Sequence, residues 1–155
     1  MTGDYTEIQI LLIEDSEDDA ELTKRALRQH NLGNNLIHLR DGAEALEFIF
    51  CKGQFSERNI AMVPKVILLD LNMPKVSGLE VLQRIKNDER TRNIPVVVMT
   101  SSREQQDLVS SYKLGVNAYV VKPVEFEAFA RAVADLGLFW LVVNETPGVR
   151  RGGEK

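Results

Sequence analysis

Residues 65–71 read KVILLDL, a run that stays apolar from Val66 until the carboxylate of Asp70 interrupts it. Such continuous apolar sequence is typical of a strand buried on both faces, as in a parallel sheet. A helix start follows closely, because Ser77 and Glu80 stand three residues apart in the pattern of a capping box. This segment therefore predicts a buried strand, a connecting loop and a helix.

The same order of strand and helix repeats on both sides of this segment. Four further apolar runs predict strands, at residues 8–13, 36–39, 94–100 and 117–121. Helix starts are predicted at three polar residues, Ser16, Asp41 and Ser102, and helix ends at three glycines, Gly33, Gly53 and Gly115. The inner face of a last helix is predicted at Phe126, Phe129, Ala130 and Val133. Parallel strands need crossover helices, so the chain predicts an α/β fold with helices on both sides of a parallel sheet.

The composition excludes several classes of protein. The chain has 155 residues and a net charge of −4, without a basic stripe, which argues against direct nucleic-acid binding. The single cysteine, Cys51, excludes an internal disulfide, and its neighbours Phe48, Ile49 and Phe50 predict that it is a buried small hydrophobe. The first residues lack the pattern of a signal peptide, and no apolar run approaches the ~20 residues of a membrane span. These observations predict a cytoplasmic protein without a membrane segment.

The expected organisation is one domain over residues 8–143, preceded by a short lead-in at 1–7. The tail at 144–155, NETPGVRRGGEK, is polar and rich in glycine, which predicts disorder. The chain ends soon after the last predicted helix, so no separate DNA-binding domain is expected.

Five polar residues follow or end the predicted strands: Glu14, Asp15, Asp70, Thr100 and Lys122. In open parallel sheets, ligands collect beyond the carboxyl ends of the strands, so these side chains are expected to converge. Three carboxylates at one edge repel each other unless a cation joins them. Oxygen ligands without histidine or cysteine favour Mg²⁺, which is the cofactor that the pattern predicts.

Within this set Asp70 is the best candidate nucleophile, because it ends the most apolar strand and lies centrally. A carboxylate at the end of such a strand is costly without a partner, which favours a functional role for it. Lys122 and Thr100 could neutralise and hydrogen-bond a phosphoryl group. Each residue also has a structural interpretation. Glu14 and Asp15 could serve the positive N-terminus of the first helix, Thr100 could simply end a strand, and Lys122 could be a solvated lysine.

The chain resembles the receiver domains of two-component response regulators across residues 8–137. The matching segments are LLIEDS at 11–16, VILLDLNMPKVSGLEVL at 66–82, IPVVVMTSS at 94–102 and NAYVVKP at 117–123. The resemblance implies a doubly wound, flavodoxin-like five-stranded sheet with strand order 2-1-3-4-5.

The resemblance also implies roles for residues at matching positions. Asp70 resembles the phosphoacceptor, and Glu14 and Asp15 resemble the acidic pair that holds Mg²⁺, with Asn72 adding its backbone carbonyl. Many relatives carry an aspartate where this chain has Glu14, so Glu14 could reach the metal directly or through water. Asn72 and Ser102 occupy positions that tune the lifetime of the phosphate in this family.

The remaining matches concern the switch. Thr100 resembles the switch hydroxyl, and Lys122 resembles the lysine that pairs with the phosphate. Tyr119 matches the aromatic residue that turns inward when the hydroxyl moves, although an ordinary strand aromatic is the alternative. Pro123 matches a proline that often follows a cis peptide bond.

Two features resemble a subgroup of response regulators that pair with bacterial and cyanobacterial phytochrome kinases. They are the long loop at 51–64 and the pair Phe139–Trp140. In that subgroup the fourth and fifth helices and strands tend to form a homodimer face, which Phe139 and Trp140 would suit. The alternative is that both side chains cap the core of the monomer.

The function implied is transfer of a phosphoryl group from a histidine kinase to Asp70, with no enzymatic activity beyond transfer onto and off that residue. Output would be protein contact, dimerisation or passage of the phosphate along a phosphorelay. An unphosphorylated interaction module is a remaining alternative. A haloacid-dehalogenase-type phosphatase would need an acidic residue at Asn72. A flavin carrier would need a phosphate-binding first loop, whereas residues 14–21 read EDSEDDAE.

Overall fold

The computed structural model describes residues 9–30, 35–73, 76–116 and 118–138. Five parallel strands form one sheet in the order β2-β1-β3-β4-β5. They are β1 (Ile10–Ile13), β2 (Leu36–Leu39), β3 (Val66–Asp70), β4 (Val96–Thr100) and β5 (Ala118–Val121). The helices between and after them are α1 (Glu17–Arg28), α2 (Gly42–Ile49), α3 (Gly78–Lys86), α4 (Arg103–Ser111) and α5 (Phe126–Asp135). The predicted fold class and strand order are confirmed.

The sheet separates two apolar clusters, which explains why its central strands are apolar at every position. On one face Ile13 and Leu69 pack with Phe48 and with residues of α2, α3 and α4. On the other face, Leu12 and Leu68 pack with residues of α1 and α5. Every residue of β1, β3 and β4 is buried. A fully buried Phe48 stabilises the fold by about 3 kcal/mol through loss of apolar surface from water.

The predicted helix starts are confirmed, since four of the five α-helices among the described residues begin at a side-chain cap. In each case the cap accepts a hydrogen bond from the N–H three residues later, and the caps are Ser16, Asp41, Ser77 and Ser102. The ends were predicted too late. Helix α4 ends at Ser111, and Gly115 lies beyond it with a φ of 81°.

The connection after α2 is held by Arg58. Its Nη1 donates to the carbonyl oxygen of Phe48, and its Nη2 donates to that of Met62 at 2.8 Å. Its guanidinium also lies 4.0 Å from the centre of the Phe48 ring. The expectation that Cys51 is a buried hydrophobe was wrong. Cys51 is half-buried with a φ of 58°, and its sulfur lies 3.3 Å from Arg58 Nη1.

The described residues stop short of several predictions. The domain limits at 7/8 and 143/144, and the pair Phe139–Trp140, lie outside them and stay predictions. Among the helices that the structure describes, none combines the length and apolar composition that crossing a membrane requires.

Candidate functional site

The adjacent strands β1 and β3 bring three carboxylates together at the carboxyl edge of the sheet. Glu14 and Asp15 follow β1 directly, and Asp70 is the last residue of β3. Each of the three offers an oxygen that lies within 4.8 Å of the others. Glu14 and Asp70 are buried, with 0% and 1% of their surface exposed, whereas Asp15 is exposed. The cluster therefore has a buried floor and an opening to solvent at Asp15.

The electrostatics of the buried pair show the cost of placing two carboxylates together. Burial, and then the close approach of the Asp70 carboxylate, raise the pKa of Glu14 from 4.5 to about 7. Two smaller effects lower this pKa. They are the backbone N–H of Ser16, which donates to Glu14 Oε2 at 3.2 Å, and the positive charge of Lys122. Without a divalent cation, Glu14 therefore holds its proton through much of the range between pH 4.5 and about 7.

Lys122 supplies the cation of the site from the opposite side of the cluster. It directly follows β5, where its N–H donates to the carbonyl oxygen of Thr100 at 2.9 Å, and the peptide bond to Pro123 is cis. Its Nζ lies 3.4 Å from Glu14 Oε1 and 3.3 Å from Asp70 Oδ1. Burial acts to lower the pKa of Lys122, but the carboxylates of Asp70 and Glu14 outweigh it and raise the pKa. The ammonium therefore stays charged at neutral pH.

The two oxygens of Asp70 are in different situations. Oδ1 accepts a hydrogen bond from the N–H of Asn72 at 3.2 Å and faces Lys122. Oδ2 is buried and has no hydrogen-bond partner among the described residues. A buried oxygen without a partner costs about 1–3 kcal/mol, and more when it is charged. The arrangement thus favours a ligand for this oxygen, either a metal ion or an electrophilic atom.

Thr100 is brought to the same edge, because it ends β4 next to β3, and only 1% of its surface is exposed. Tyr119 of β5 is half-buried. Its hydroxyl donates to the carbonyl oxygen of Val116 at 3.3 Å and lies 3.1 Å from the Ser110 hydroxyl of α4. Asn72 is exposed. The functional roles assigned to these three residues stay predictions.

Two residues at the site were missed by sequence reasoning. Asp19, in the first turn of α1, places its Oδ2 3.2 Å from Lys122 Nζ. His38 of β2 has its Nε2 2.8 Å from the carbonyl oxygen of Glu14, and since that oxygen only accepts, Nε2 is the donor. Burial lowers the pKa of His38. The acidic first turn of α1 was a signal for Asp19, while nothing in the sequence pointed to His38.

Comparisons with known proteins agree with this geometry. A family model described as the response regulator receiver domain matches residues 10–134. The probable methanogenesis regulatory protein FilR2 of Methanothrix harundinacea is 40% identical over 151 residues, which cover 95% of each chain. Response regulator Rcp1 of Synechocystis is 39% identical over 138 residues, covering 89% of this chain and 92% of Rcp1.

Solved structures extend the likeness to three dimensions. The bacteriophytochrome response regulator RtBRR is 54% identical with a TM-score of 0.81, covering 92% of this chain and 86% of RtBRR. The Mn²⁺-bound form of Rcp1 is 39% identical with a TM-score of 0.66, covering 85% of this chain and 93% of that one. Phosphorylation on aspartate is typical of the matched family. The chain therefore belongs to the response regulator receiver-domain family and is a response regulator related to RtBRR.

Proposed function

We propose that Asp70 accepts a phosphoryl group from the phosphohistidine of a histidine kinase. The observation that carries this proposal is the buried Oδ2 of Asp70, which has no hydrogen-bond partner among the described residues. The other oxygen of the same carboxylate, Oδ1, lies 3.3 Å from the charged Lys122 Nζ, and Asp15 opens the cluster to solvent. A carboxylate oxygen that is desolvated but not hydrogen-bonded is a better nucleophile than a solvated one.

Mg²⁺ would be held by side-chain oxygens of Glu14, Asp15 and Asp70 and by the backbone carbonyl of Asn72. Three carboxylates without histidine or cysteine form a hard donor set that suits this ion. The Mn²⁺-bound form of the relative Rcp1 supports a divalent cation in a protein of this kind. When bound, the ion would neutralise charge on the phosphoryl oxygens. Glu14 would contact it directly or through a water molecule.

In the proposed transfer, a carboxylate oxygen of Asp70 forms a bond to phosphorus while the bond from phosphorus to the histidine nitrogen breaks. The electron pair of that bond stays on the imidazole of the kinase. Lys122 would pair with one phosphoryl oxygen, and the Thr100 hydroxyl would donate to another. Water later removes the group from Asp70, at a rate that Asn72 and Ser102 would tune. We assign the chain no enzymatic activity beyond these two steps.

The phosphoryl group would then alter the surface formed by α4 and β5. Movement of Thr100 toward the phosphoryl group would leave a space for the ring of Tyr119. Turning inward requires the Tyr119 hydroxyl to leave Ser110 and the carbonyl oxygen of Val116. Phosphorylation shifts this equilibrium only by its different interaction energies with the two states.

One experiment tests the proposed chemistry. The wild type, Asp70→Asn and the control Asp135→Asn, an exposed position on α5, are incubated with acetyl phosphate and Mg²⁺. Intact-mass spectrometry should show one phosphoryl group on the wild type and the control, and none on Asp70→Asn. Addition of EDTA should abolish the signal. Equal labelling of all three proteins, or no labelling of the wild type, would contradict the proposal.

A phytochrome histidine kinase is the proposed partner, supported by the 54% identity to the bacteriophytochrome response regulator RtBRR. FilR2, which is 40% identical, is named as a methanogenesis regulatory protein, so the experiment also needs a kinase of another kind for comparison. The chain is therefore mixed with a phosphorylated phytochrome kinase and, separately, with a phosphorylated kinase that has no phytochrome sensor. Faster transfer from the first supports the pairing, and equal or faster transfer from the second contradicts it.

A homodimer through the α4–β5 surface is proposed as the form that phosphorylation favours. Three large apolar side chains are exposed on this surface. They are Leu108 on α4, Tyr112 directly after α4 and Val121 on β5, with 50%, 47% and 63% of their surfaces exposed. Burying such apolar side chains against a second copy would be favourable. Sedimentation of the phosphorylated form tests this. Leu108→Glu should reduce dimerisation, whereas Leu22→Glu on α1, which is 45% exposed, should not.

A further inference from the structure

The Asp19 carboxylate does not make the hydrogen bond that its position in the first turn of α1 would normally provide. In a capping box, the residue three places after the cap accepts a hydrogen bond from the backbone N–H of the cap. Here Ser16 Oγ does accept from the Asp19 N–H at 3.1 Å, but the Ser16 N–H donates to Glu14 Oε2 at 3.2 Å. Glu14 has taken the place of the Asp19 carboxylate, and that carboxylate turns to Lys122 instead.

The Lys122 ammonium consequently faces three carboxylates. Its Nζ lies 3.4 Å from Glu14 Oε1, 3.2 Å from Asp19 Oδ2 and 3.3 Å from Asp70 Oδ1. An ammonium has three N–H donors, so these oxygens can occupy all of them. Its side chain is 17% exposed, which leaves little water to replace a lost partner.

The three carboxylates differ in what happens when a divalent cation binds. Glu14 and Asp70 belong to the group whose oxygens lie within 4.8 Å of one another and could hold a metal, and Asp19 does not. A divalent cation on Glu14 and Asp70 repels the Lys122 ammonium and competes for the same oxygens. Asp19, whose side chain is 40% exposed on α1, is then the carboxylate that remains for Lys122.

We propose that Asp19 is a positioning residue that holds the Lys122 ammonium beside Asp70 while Mg²⁺ occupies Glu14 and Asp70. The inference rests on the proposed function, because it describes how Lys122 is kept ready for the incoming phosphoryl group. The Asp19–Lys122 pair is stronger in the metal-bound protein, where the divalent cation competes with Lys122 for the oxygens of Glu14 and Asp70 but not for those of Asp19. Mg²⁺ binding and this ion pair therefore favour each other.

The test is a cycle of Mg²⁺ dissociation constants measured by calorimetry. Asp19→Asn is compared with Asp18→Asn, a control that removes the same charge from an exposed neighbour on the same helical turn. Both are made in the wild type and in Lys122→Met, with Lys122→Gln as a second background should the first not fold. With Lys122 present, Asp19→Asn should weaken Mg²⁺ binding about threefold more than Asp18→Asn, as expected for a partly exposed ion pair. Without Lys122 the two variants should be equal.

The rate of phosphorylation by acetyl phosphate at saturating Mg²⁺ is the second readout. It should be about threefold lower for Asp19→Asn than for Asp18→Asn, because the ammonium is less often in place. Equal behaviour of the two variants, with the wild type phosphorylated, overturns this inference alone. A difference that persists without Lys122 also overturns it, since Asp19 would then act through its charge on the metal. Failure of the wild type to take up phosphate overturns the proposed function and the inference with it.

Discussion

Replacing Glu14 with glutamine should change how the stability of the protein depends on pH. Glu14 is fully buried, and burial together with Asp70 raises its pKa from 4.5 to about 7. Glutamine has nearly the same shape but no titrating group. The comparison of the two proteins without divalent cations therefore isolates the proton held by Glu14.

The sign of this pH dependence follows from how many protons Glu14 binds in the folded and in the unfolded state. Below pH 4.5 the Glu14 carboxyl is protonated in both the folded and the unfolded chain. As the pH rises toward 7, the unfolded chain releases the proton while the folded protein keeps it, so the free energy of unfolding falls. Above pH 7 the carboxyl is ionised in both states and the dependence levels off.

The size of the change in the free energy of unfolding follows from the two pKa values of Glu14. A difference of one in pKa corresponds to about 1.4 kcal/mol, so the raised pKa of Glu14 is worth about 3 kcal/mol in total. About 2 kcal/mol of this falls between pH 5.5 and pH 7, where most other carboxylates have already titrated. Mg²⁺ bound as proposed would displace this proton, so its stabilising effect on the wild type should increase over the same interval.

Urea unfolding in EDTA from pH 5.5 to pH 8.5 measures this effect. The difference in the free energy of unfolding between wild type and Glu14→Gln should change by about 2 kcal/mol, with the wild type losing stability as the pH rises. Glu89→Gln, at an exposed position, is the control and should follow the wild type. Parallel curves for wild type and Glu14→Gln would refute the reasoning.

Three further changes test the surroundings of the site. Gly78→Ala should lower the free energy of unfolding by about 2 kcal/mol or more and slow phosphorylation, because the new Cβ would lie 2.1 Å from the carbonyl oxygen of Asp70. Thr91→Val should cost about 1–2 kcal/mol in urea unfolding, because the buried Thr91 hydroxyl donates to the Ile85 carbonyl oxygen at 2.7 Å. Arg58→Lys should speed cleavage within residues 51–62 in limited proteolysis, because a lysine cannot reach both carbonyl oxygens that Arg58 binds.

Matched variants accompany these changes. Ser77→Ala removes only the cap of α3, so it should cost about 1 kcal/mol and leave phosphorylation unchanged. Ser111→Ala removes a similar hydroxyl-to-carbonyl bond at an exposed position, and its cost should stay below about 0.5 kcal/mol. Lys65→Ala, at an exposed position outside the connection, should leave proteolysis as in the wild type. A control that behaves like its partner variant would contradict the corresponding prediction.

The central strands could be predicted from the sequence because burial of both faces requires an apolar residue at nearly every position. All five residues of β3 are buried, and this is why the run from Val66 to Leu69 contains no polar residue. Helix starts were predictable for a local reason, since a cap such as Ser77 bonds to an N–H only three residues away. The meeting of Glu14, Asp15 and Asp70 followed from the parallel sheet and not from any local spacing.

Other features depended on tertiary contacts that no local pattern reports. The carboxylate of Asp19 could bond to the Ser16 N–H or to a distant lysine, and the position of Glu14 decides between them. Cys51 has apolar neighbours in sequence, but the backbone turns there with a positive φ and carries its sulfur to Arg58. Helix ends were also predicted wrongly. For example, α4 ends at Ser111, although Gly115 was expected to end it.

The contact between Lys122 and Glu14 joins residues that are 108 positions apart in the chain. During synthesis, Glu14 and Asp70 leave the ribosome before Lys122, whose ammonium balances their charge. A chain interrupted before β5, or one in which β5 fails to join the sheet, carries Asp70 without the ammonium of Lys122. Under the proposed function, uptake of phosphate would therefore depend on β5 being in place beside β4.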